Sequence, residues 1–282
     1  MNLRFWGTRG SVPAARPETR RYGGNTSCVE VGAPHGCLTV LDAGTGICGL
    51  GFGLPLDLTR VDILLGHLHM DHILGLGFFA GLFRADLDVH IWGPASTVLP
   101  LRARLSRYLS PPLFPVRLRE LPCQLTIHDV PIGTFDIPGF KVSTALLCHP
   151  GPTVGYRLDD GHATLAYLSD HEPALGARSF PEEPRWTSGF GLAADADILV
   201  HDAQFTDDEY PDHVGWGHSS ISQAVAFATV AGARQLVAFH HDPWHDDEEL
   251  DKLYDDVAAT TLLPVTAAQE GMSISASRTR RH

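Results

Sequence analysis

The order of apolar and polar segments predicts an α/β chain in which two sheets face each other with helices outside them. Three observations carry this. Near-continuous apolar runs at 61–65, 198–202 and 236–239 have the character of strands buried on both faces. An Ala-rich helical stretch lies at 220–231 and an acidic-faced one at 248–259. Both halves of the chain are strand-rich with helical segments between, and neither contains a low-complexity stretch.

Taken in order, residues 3–6 read as a first strand that runs into a Gly- and Pro-containing loop at 7–17. Residues 28–31 and 38–42 pair as strands around the turn Pro34-His-Gly36, and 61–65 follows as a buried strand. The apolar, Gly-rich stretch 73–84 reads as helical and 89–92 as a strand. Residues 96–109 have helical character, with Arg102, Arg104 and Arg107 on the wet side. The Pro-rich segment 110–122 is irregular, either a mobile cover or a surface loop. Strands recur at 124–127, 140–145, 153–158 and 164–169. Residues 172–191, rich in Pro, Gly and charge, read as a long loop inside the domain, not as a linker. The serine before 220 is a capping candidate for the Ala-rich helix, and 274–276 closes a sheet. The reading is one domain over 1–282.

Composition narrows the function classes. A hydrophobic content of 44% and a charged content of 19% suit a globular enzyme. The net charge of -12 is a poor match to a long polyanion such as duplex nucleic acid. A small phosphate ester is still accommodated, because bound cations invert a local field. Five cysteines, with no C-x-x-C pair, argue against a disulfide framework and for a reducing, cytoplasmic setting. The N-terminus lacks the apolar core of a signal peptide, and no run of about eighteen apolar residues offers a membrane span. The basic tail at 278–282 reads as a frayed end.

The sharpest feature is His67-Leu-His69-Met-Asp71-His72, directly after an apolar strand. Residues two apart on extended chain share a face, so His67 and His69 can grip one ion together. Asp71 and His72 fall where a helix could begin and can turn toward a second ion. Imidazole and carboxylate donors suit zinc, manganese or iron. Further polar residues sit where apolar strands stop: His149, Asp170, His201, Asp202 and His240. Strand ends converging on one rim are where layered α/β enzymes assemble sites.

With these residues in view, the chain resembles the metallo-β-lactamase fold superfamily over nearly its whole length. The signature H-x-H-x-D-H stands at His67, His69, Asp71 and His72, the early Asp-x-Gly motif at Asp42-Ala43-Gly44, and further family positions match His149, Asp170 and His240. The resemblance implies an αββα four-layer sandwich with the site at one edge. It implies two divalent metal ions, zinc first, with manganese or iron as alternatives. His67, His69 and His149 would hold one ion and Asp71, His72 and His240 the other, with Asp170 bridging. His241 competes with His240 for the last position.

Branch assignment rests on further motifs. True zinc β-lactamases carry a cysteine where this chain has Asp170. Neither the helical glutathione-binding region of glyoxalase II-like thioesterases nor the flavin domain of flavodiiron proteins is seen. His201-Asp202-Ala203-Gln204 resembles the His-Glu-Ala-Thr segment of ribonuclease Z-like enzymes, with an acidic residue one methylene shorter. Gly217-His218-Ser219-Ser220 resembles their His-Ser-Thr segment. The N-terminal stretch around Gly7, Gly10, Gly23 and Gly24 is similar as well, with glycines that let the backbone turn tightly near the site. This implies a phosphodiesterase in which His218 faces the scissile phosphate, Asp202 orients it, and Asp71 or Asp170 accepts the nucleophile's proton. The implied chemistry is two-metal hydrolysis by a bridging hydroxide between ions about 3.5–4 Å apart.

Ribonuclease Z carries its tRNA-gripping arm between the third histidine and the bridging aspartate. Here 21 positions (149 to 170) leave room for a strand pair alone. The expected substrate is therefore a small or cyclic phosphodiester, and the resemblance carries a homodimer with it. Rival readings are a lactonase or thioesterase of the same fold, an RNA-processing nuclease, and a non-hydrolytic metal-bound carrier or sensor. Cys148 beside His149 is the feature that hints at redox sensing. Tyr210, His213 and Trp216 read as loop anchors or as a platform for a base or sugar. His171 reads as a support behind Asp170, and His35, His90, His128, His162 and His245 as surface residues.

Overall fold

The computed structural model describes residues 1–177, 180 and 183–276. The tail at 278–282 lies outside them, as does part of the 172–191 loop.

The first six strands, β1 (Asn2–Gly7), β2 (Cys28–Val31), β3 (Cys37–Leu41), β4 (Arg60–Leu64), β5 (Asp88–Pro94) and β6 (Gln124–Val130), lie side by side. Between them run three helices, α1 (Gly46–Gly51), α2 (Met70–Ile73) and α3 (Leu101–Tyr108). The next strands are β7 (Gly133–Ile137), β8 (Phe140–Leu146), β9 (Val154–Asp159), β10 (Thr164–Leu168), β11 (Ile198–Asp202), β12 (Leu236–Phe239) and β13 (Val265–Ala267). They are interleaved with α4 (Phe190–Ala193), α5 (Ile221–Val230) and α6 (Asp247–Thr260). A last strand, β14 (Ser273–Ser275), returns to the first sheet beside β1. The sheets run β14-β1-β2-β3-β4-β5-β6 and β13-β12-β11-β10-β9-β8-β7.

Alternation along each strand divides the core into three layers. Between the sheets, Phe5, Val29, Leu41 and Leu64 meet Val142, Tyr156, Leu165, Val200 and Phe239. Val40, Val61, Ile63 and Ile91 turn the other way, onto Ile47, Leu76, Phe79, Leu101 and Leu105 of the first helical layer. Ala166, Leu199, Leu236 and Ala238 pack against Ile221, Ala224, Phe227 and Ala228 in the second. This is the αββα sandwich.

The parallel registers place the site. Leu41 pairs with Leu64, so the residues after β3 and β4 leave the first sheet at one rim. Leu168 pairs with His201, and Asp202 with Phe239, so Asp170, Asp202 and His240 reach the matching rim of the second.

Several elements differ from expectation. The stretch 73–84 is not one helix: α2 is followed by two short helical turns, Leu76–Phe78 and Ala80–Phe83. Glycine weakens a helix interior by about 1 kcal/mol, and Gly77 is needed there because a Cβ would overlap the Phe114 ring. That contact also resolves the Pro-rich segment, which Phe114 anchors as a surface loop in the core. Arg104 is not on the wet side. Its side chain is 15% exposed, with Nε donating to the Leu99 carbonyl at 3.1 Å and the guanidinium also bonded to the Pro94 carbonyl. The short elements β7, α1 and β13 carry no sequence pattern strong enough to read. Among the described residues no helix is long and apolar enough to cross a membrane.

Candidate metal centre

The turn after β4 delivers the first donors. His67 is buried at the strand end, His69 starts α2 from the surface, and Asp71 and His72 are buried on the first turn of that helix. From the opposite rim come His149 on the loop after β8, Asp170 just past β10, and His240 just past β12. The donor atoms of His67, His69 and His149 lie within 4.8 Å of one another, and so do those of Asp71, His72, Asp170 and His240. Asp170 stands between the groups: Oδ1 is 3.0 Å from His72 Nε2, while Oδ2 is 3.4 Å from His240 Nε2 and 3.7 Å from His67 Nε2. Every expected ligand is thus in one constellation.

His240, not His241, faces the cluster. Its backbone adopts φ +62, a conformation rare for residues with a Cβ, and this aims the ring inward, 3.1 Å from Asp71 Oδ2. A Cβ at Gly10 would overlap that ring. His241 points away, its Nε2 donating to the Ala268 carbonyl at 3.0 Å, and burial lowers its pKa to about 3.

The outer contacts fit a metal site. A metal-bound histidine presents one nitrogen inward and donates its other N–H to an acceptor. His72 Nδ1–H donates to Asp42 Oδ2 at 2.7 Å, His240 Nδ1–H to Gln204 Oε1 at 3.1 Å, and His149 Nδ1–H to the Gly217 carbonyl at 3.0 Å. Asp42 is itself fixed by the Gly66 N–H and the Tyr167 hydroxyl, each at 2.7 Å. Asp71 Oδ2 accepts the Ser11 N–H at 2.8 Å. His67 is buried, yet neither ring nitrogen has a hydrogen-bond partner among the described residues. A buried imidazole in that condition is costly unless a cation takes its lone pair.

Electrostatics agree. Burial disfavours charge on His72 and His240, yet the surrounding aspartates outweigh it. They raise His72 well above its ordinary value and push His240 up to about 9. Burial would raise Asp71 and Asp170, but the histidines hold both well below the usual carboxylate range. The pocket is therefore poised for positive charge. Burial lowers His67, His69 and His149, which keeps them neutral donors near pH 7.

Beside this cluster, His218 Nδ1–H donates to Asp202 Oδ2 at 2.7 Å. The shorter acid still reaches because Asp202 is buried at the end of β11 and its Oδ1 accepts the Ser219 N–H at 2.9 Å, drawing the His218 loop in. A cavity of about 390 Å³, lined by Ser11, Leu68, His69, Met70, Asp71, Asp170 and His218, opens over the centre. A hollow of about 200 Å³ adjoins it at Leu68 and His69, with His67 and Arg104 in its wall. A larger one, about 530 Å³ among residues 13–25, Thr45 and Glu270, touches none of the candidate ligands.

Other histidines fall elsewhere. His201 and His171 are not at the rim: they pair at 2.9 Å under α5, against Phe227. His245 is buried, not a surface residue, and its carbonyl accepts from Arg9 at 2.7 Å. His90 and His128 are half-buried and stacked with Trp92. Tyr210 is a buried anchor, while Trp216 is 60% exposed. Sequence reasoning quoted Asp42 and Gln204 without giving either a task and missed Glu172. Asp42 had a legible signal, an aspartate ending an apolar strand before glycines, and Gln204 sat in the segment already matched to the family; Glu172 had none.

Residues 39–241 match the beta-lactamase superfamily domain. The chain is 29% identical to a Ribonuclease Z of Myxococcus xanthus over 317 aligned positions, covering 97% of each protein. In fold it is similar to the short form of human tRNase Z (TM-score 0.69, 23% identity, 98% and 99% of the two chains). It is also similar to a diphosphatase of the PhnP family (TM-score 0.67, 18% identity, 97% and 96%). By its motifs, its two-sheet sandwich and these matches, the chain belongs to the beta-lactamase superfamily, as a metallo-hydrolase of the metallo-β-lactamase fold.

Proposed function

We propose that the protein is a phosphodiesterase with a dinuclear metal centre, acting on a small or cyclic phosphodiester, and that residues 1–282 serve this as one domain. The observation that carries the reading is the buried Asp202–His218 pair beside the ligand cluster. A thiolate leaves a thioester unaided, whereas an alkoxide leaving phosphorus gains from a positioned proton donor. Asp202 accepts the Nδ1–H of His218, which leaves Nε2 free to take a proton from solvent and, as the imidazolium, give it to the leaving oxygen.

His67, His69 and His149 would hold one ion, Asp71, His72 and His240 the other, and Asp170 both. Divalent ions there, zinc first and manganese or iron as alternatives, would supply Lewis acidity and an activated water. Asp71, oriented by the Ser11 N–H, is placed to take the proton of the attacking water. Ser11, Leu68 and Met70 wall the cavity, whose size suits a small molecule. Between His149 and Asp170 the chain makes only the β9–β10 hairpin, with no room for a nucleic-acid arm, and the net charge of -12 favours a small substrate over long RNA. Five free thiols suit a reducing cytoplasm.

The test is a panel of a cyclic nucleotide, a linear phosphodiester, a lactone and a thioester with the zinc- or manganese-loaded protein. Turnover of the phosphodiesters above the other esters is the expected result. Preference for the lactone or thioester would overturn the reading.

A further inference from the structure

We infer that Glu172 is a positioning residue that sets the ring direction of His149 and the place of His218 through Gly217; this rests on reading His149 as a ligand and His218 as the proton donor.

Glu172 lies two residues beyond Asp170 and is fully buried, and no basic side chain pairs with it among the described residues. A buried carboxylate without a counter-ion survives only if hydrogen bonds replace its hydration. Here every partner is a donor. The Tyr210 hydroxyl donates to Oε1 at 2.7 Å, the Gly215 N–H reaches both oxygens at 3.0 Å, and the Gly217 N–H donates to Oε2 at 2.9 Å. The Glu172 N–H donates to the Cys148 carbonyl at 3.0 Å, next to His149. One residue thus ties together the three segments that bring Asp170, His149 and His218 to the centre.

Gly217 is where the tie acts. Its N–H is held by Glu172, and its carbonyl, in the peptide leading to His218, accepts the Nδ1–H of His149 at 3.0 Å. Gly217 has φ +91, and a Cβ there would overlap the His149 ring, so the loop passes against the imidazole with no slack. His72, His240 and His218 each have a side-chain acceptor directly behind them, in Asp42, Gln204 and Asp202. Behind His149 the acceptor among the described residues is a backbone carbonyl, and Glu172 fixes where that carbonyl stands. It supplies at one remove the support that the other histidines receive directly. Glutamine has the same shape but would turn an amide NH₂ toward one of these donors, so the charge matters as well as the size.

The test uses zinc-loaded, full-length protein as wild type, Glu172→Gln and Tyr210→Phe. Nitrogen-15 NMR of the imidazoles reads whether His149 carries its hydrogen on Nδ1 and how fast that hydrogen exchanges. Chelator competition reads the affinity of each zinc equivalent. Wild type is expected to show a slowly exchanging Nδ1–H on His149. In Glu172→Gln that signal is lost to exchange and one zinc equivalent weakens about 10–100-fold while the other holds; Tyr210→Phe shows the same change to a smaller degree. A His149 hydrogen on Nε2 in wild type overturns the inference without any variant, and so does an unchanged Nδ1–H with unchanged zinc binding in both variants. None of these readouts uses substrate, so they stand apart from failure of the phosphodiesterase reading.

Discussion

The two sheets are built alike and load the site differently. Each has three antiparallel pairings followed by three parallel ones. From the first, a single strand end gives four donors within six residues, and Asp42 locks one of them from the neighbouring strand. From the second, Asp170, Asp202 and His240 arrive one to a strand, and His149 and His218 come from loops. The first rim is specified locally, by the spacing of its own residues. The second is specified by parallel register and by contacts between loops.

That contrast can be broken or sharpened by substitution. The largest effect is expected from Asp170→Ala, because Asp170 faces both donor groups. Metal content should fall at both positions, and turnover by more than the about 10–100-fold typical of an outer partner; mass spectrometry of the metals with an activity assay checks it. In His218→Ala turnover should fall by about 10²–10⁴-fold with metal content unchanged, so equal turnover would remove the proton-donor role. If two ions bind as proposed, Asp42→Asn should weaken binding at the Asp71, His72 and His240 group by about 10–100-fold and spare binding at His67, His69 and His149, which a two-step chelator titration reads. The smallest effect belongs to Cys148→Ser. Burial, aided by Glu172, raises the Cys148 thiol above its ordinary value, so it stays protonated at pH 7 and reacts slowly. Peroxide treatment should leave turnover of wild type and variant alike, and a selective loss in wild type would favour a redox sensor.

What was legible follows the same division. The apolar runs gave β4, β11 and β12 to within a residue, and the expected serine cap of α5 is present one residue later than read, at Ser220, which accepts the Gln223 N–H. The histidine cluster announced a metal site without help. The assignments of His149, Asp170, Asp202, His218 and His240 leaned on resemblance, since strand-end polarity alone fits His201 equally well, and His201 turns inward. Glycines hid α1 and broke the 73–84 stretch, because their packing partners, Phe114 among them, are distant in sequence. The task of Gln204 and the place of Glu172 were hidden for the same reason: only the folded chain brings Gln204 to His240 and Glu172 to the loop before His218.

The most direct measurement is hydrolysis of bis(p-nitrophenyl) phosphate by the purified protein, with metals quantified on the same sample, in wild type and Asp71→Ala. The account predicts two divalent ions per chain and metal-dependent hydrolysis that Asp71→Ala abolishes. Two bound ions with no hydrolysis of this diester would contradict it.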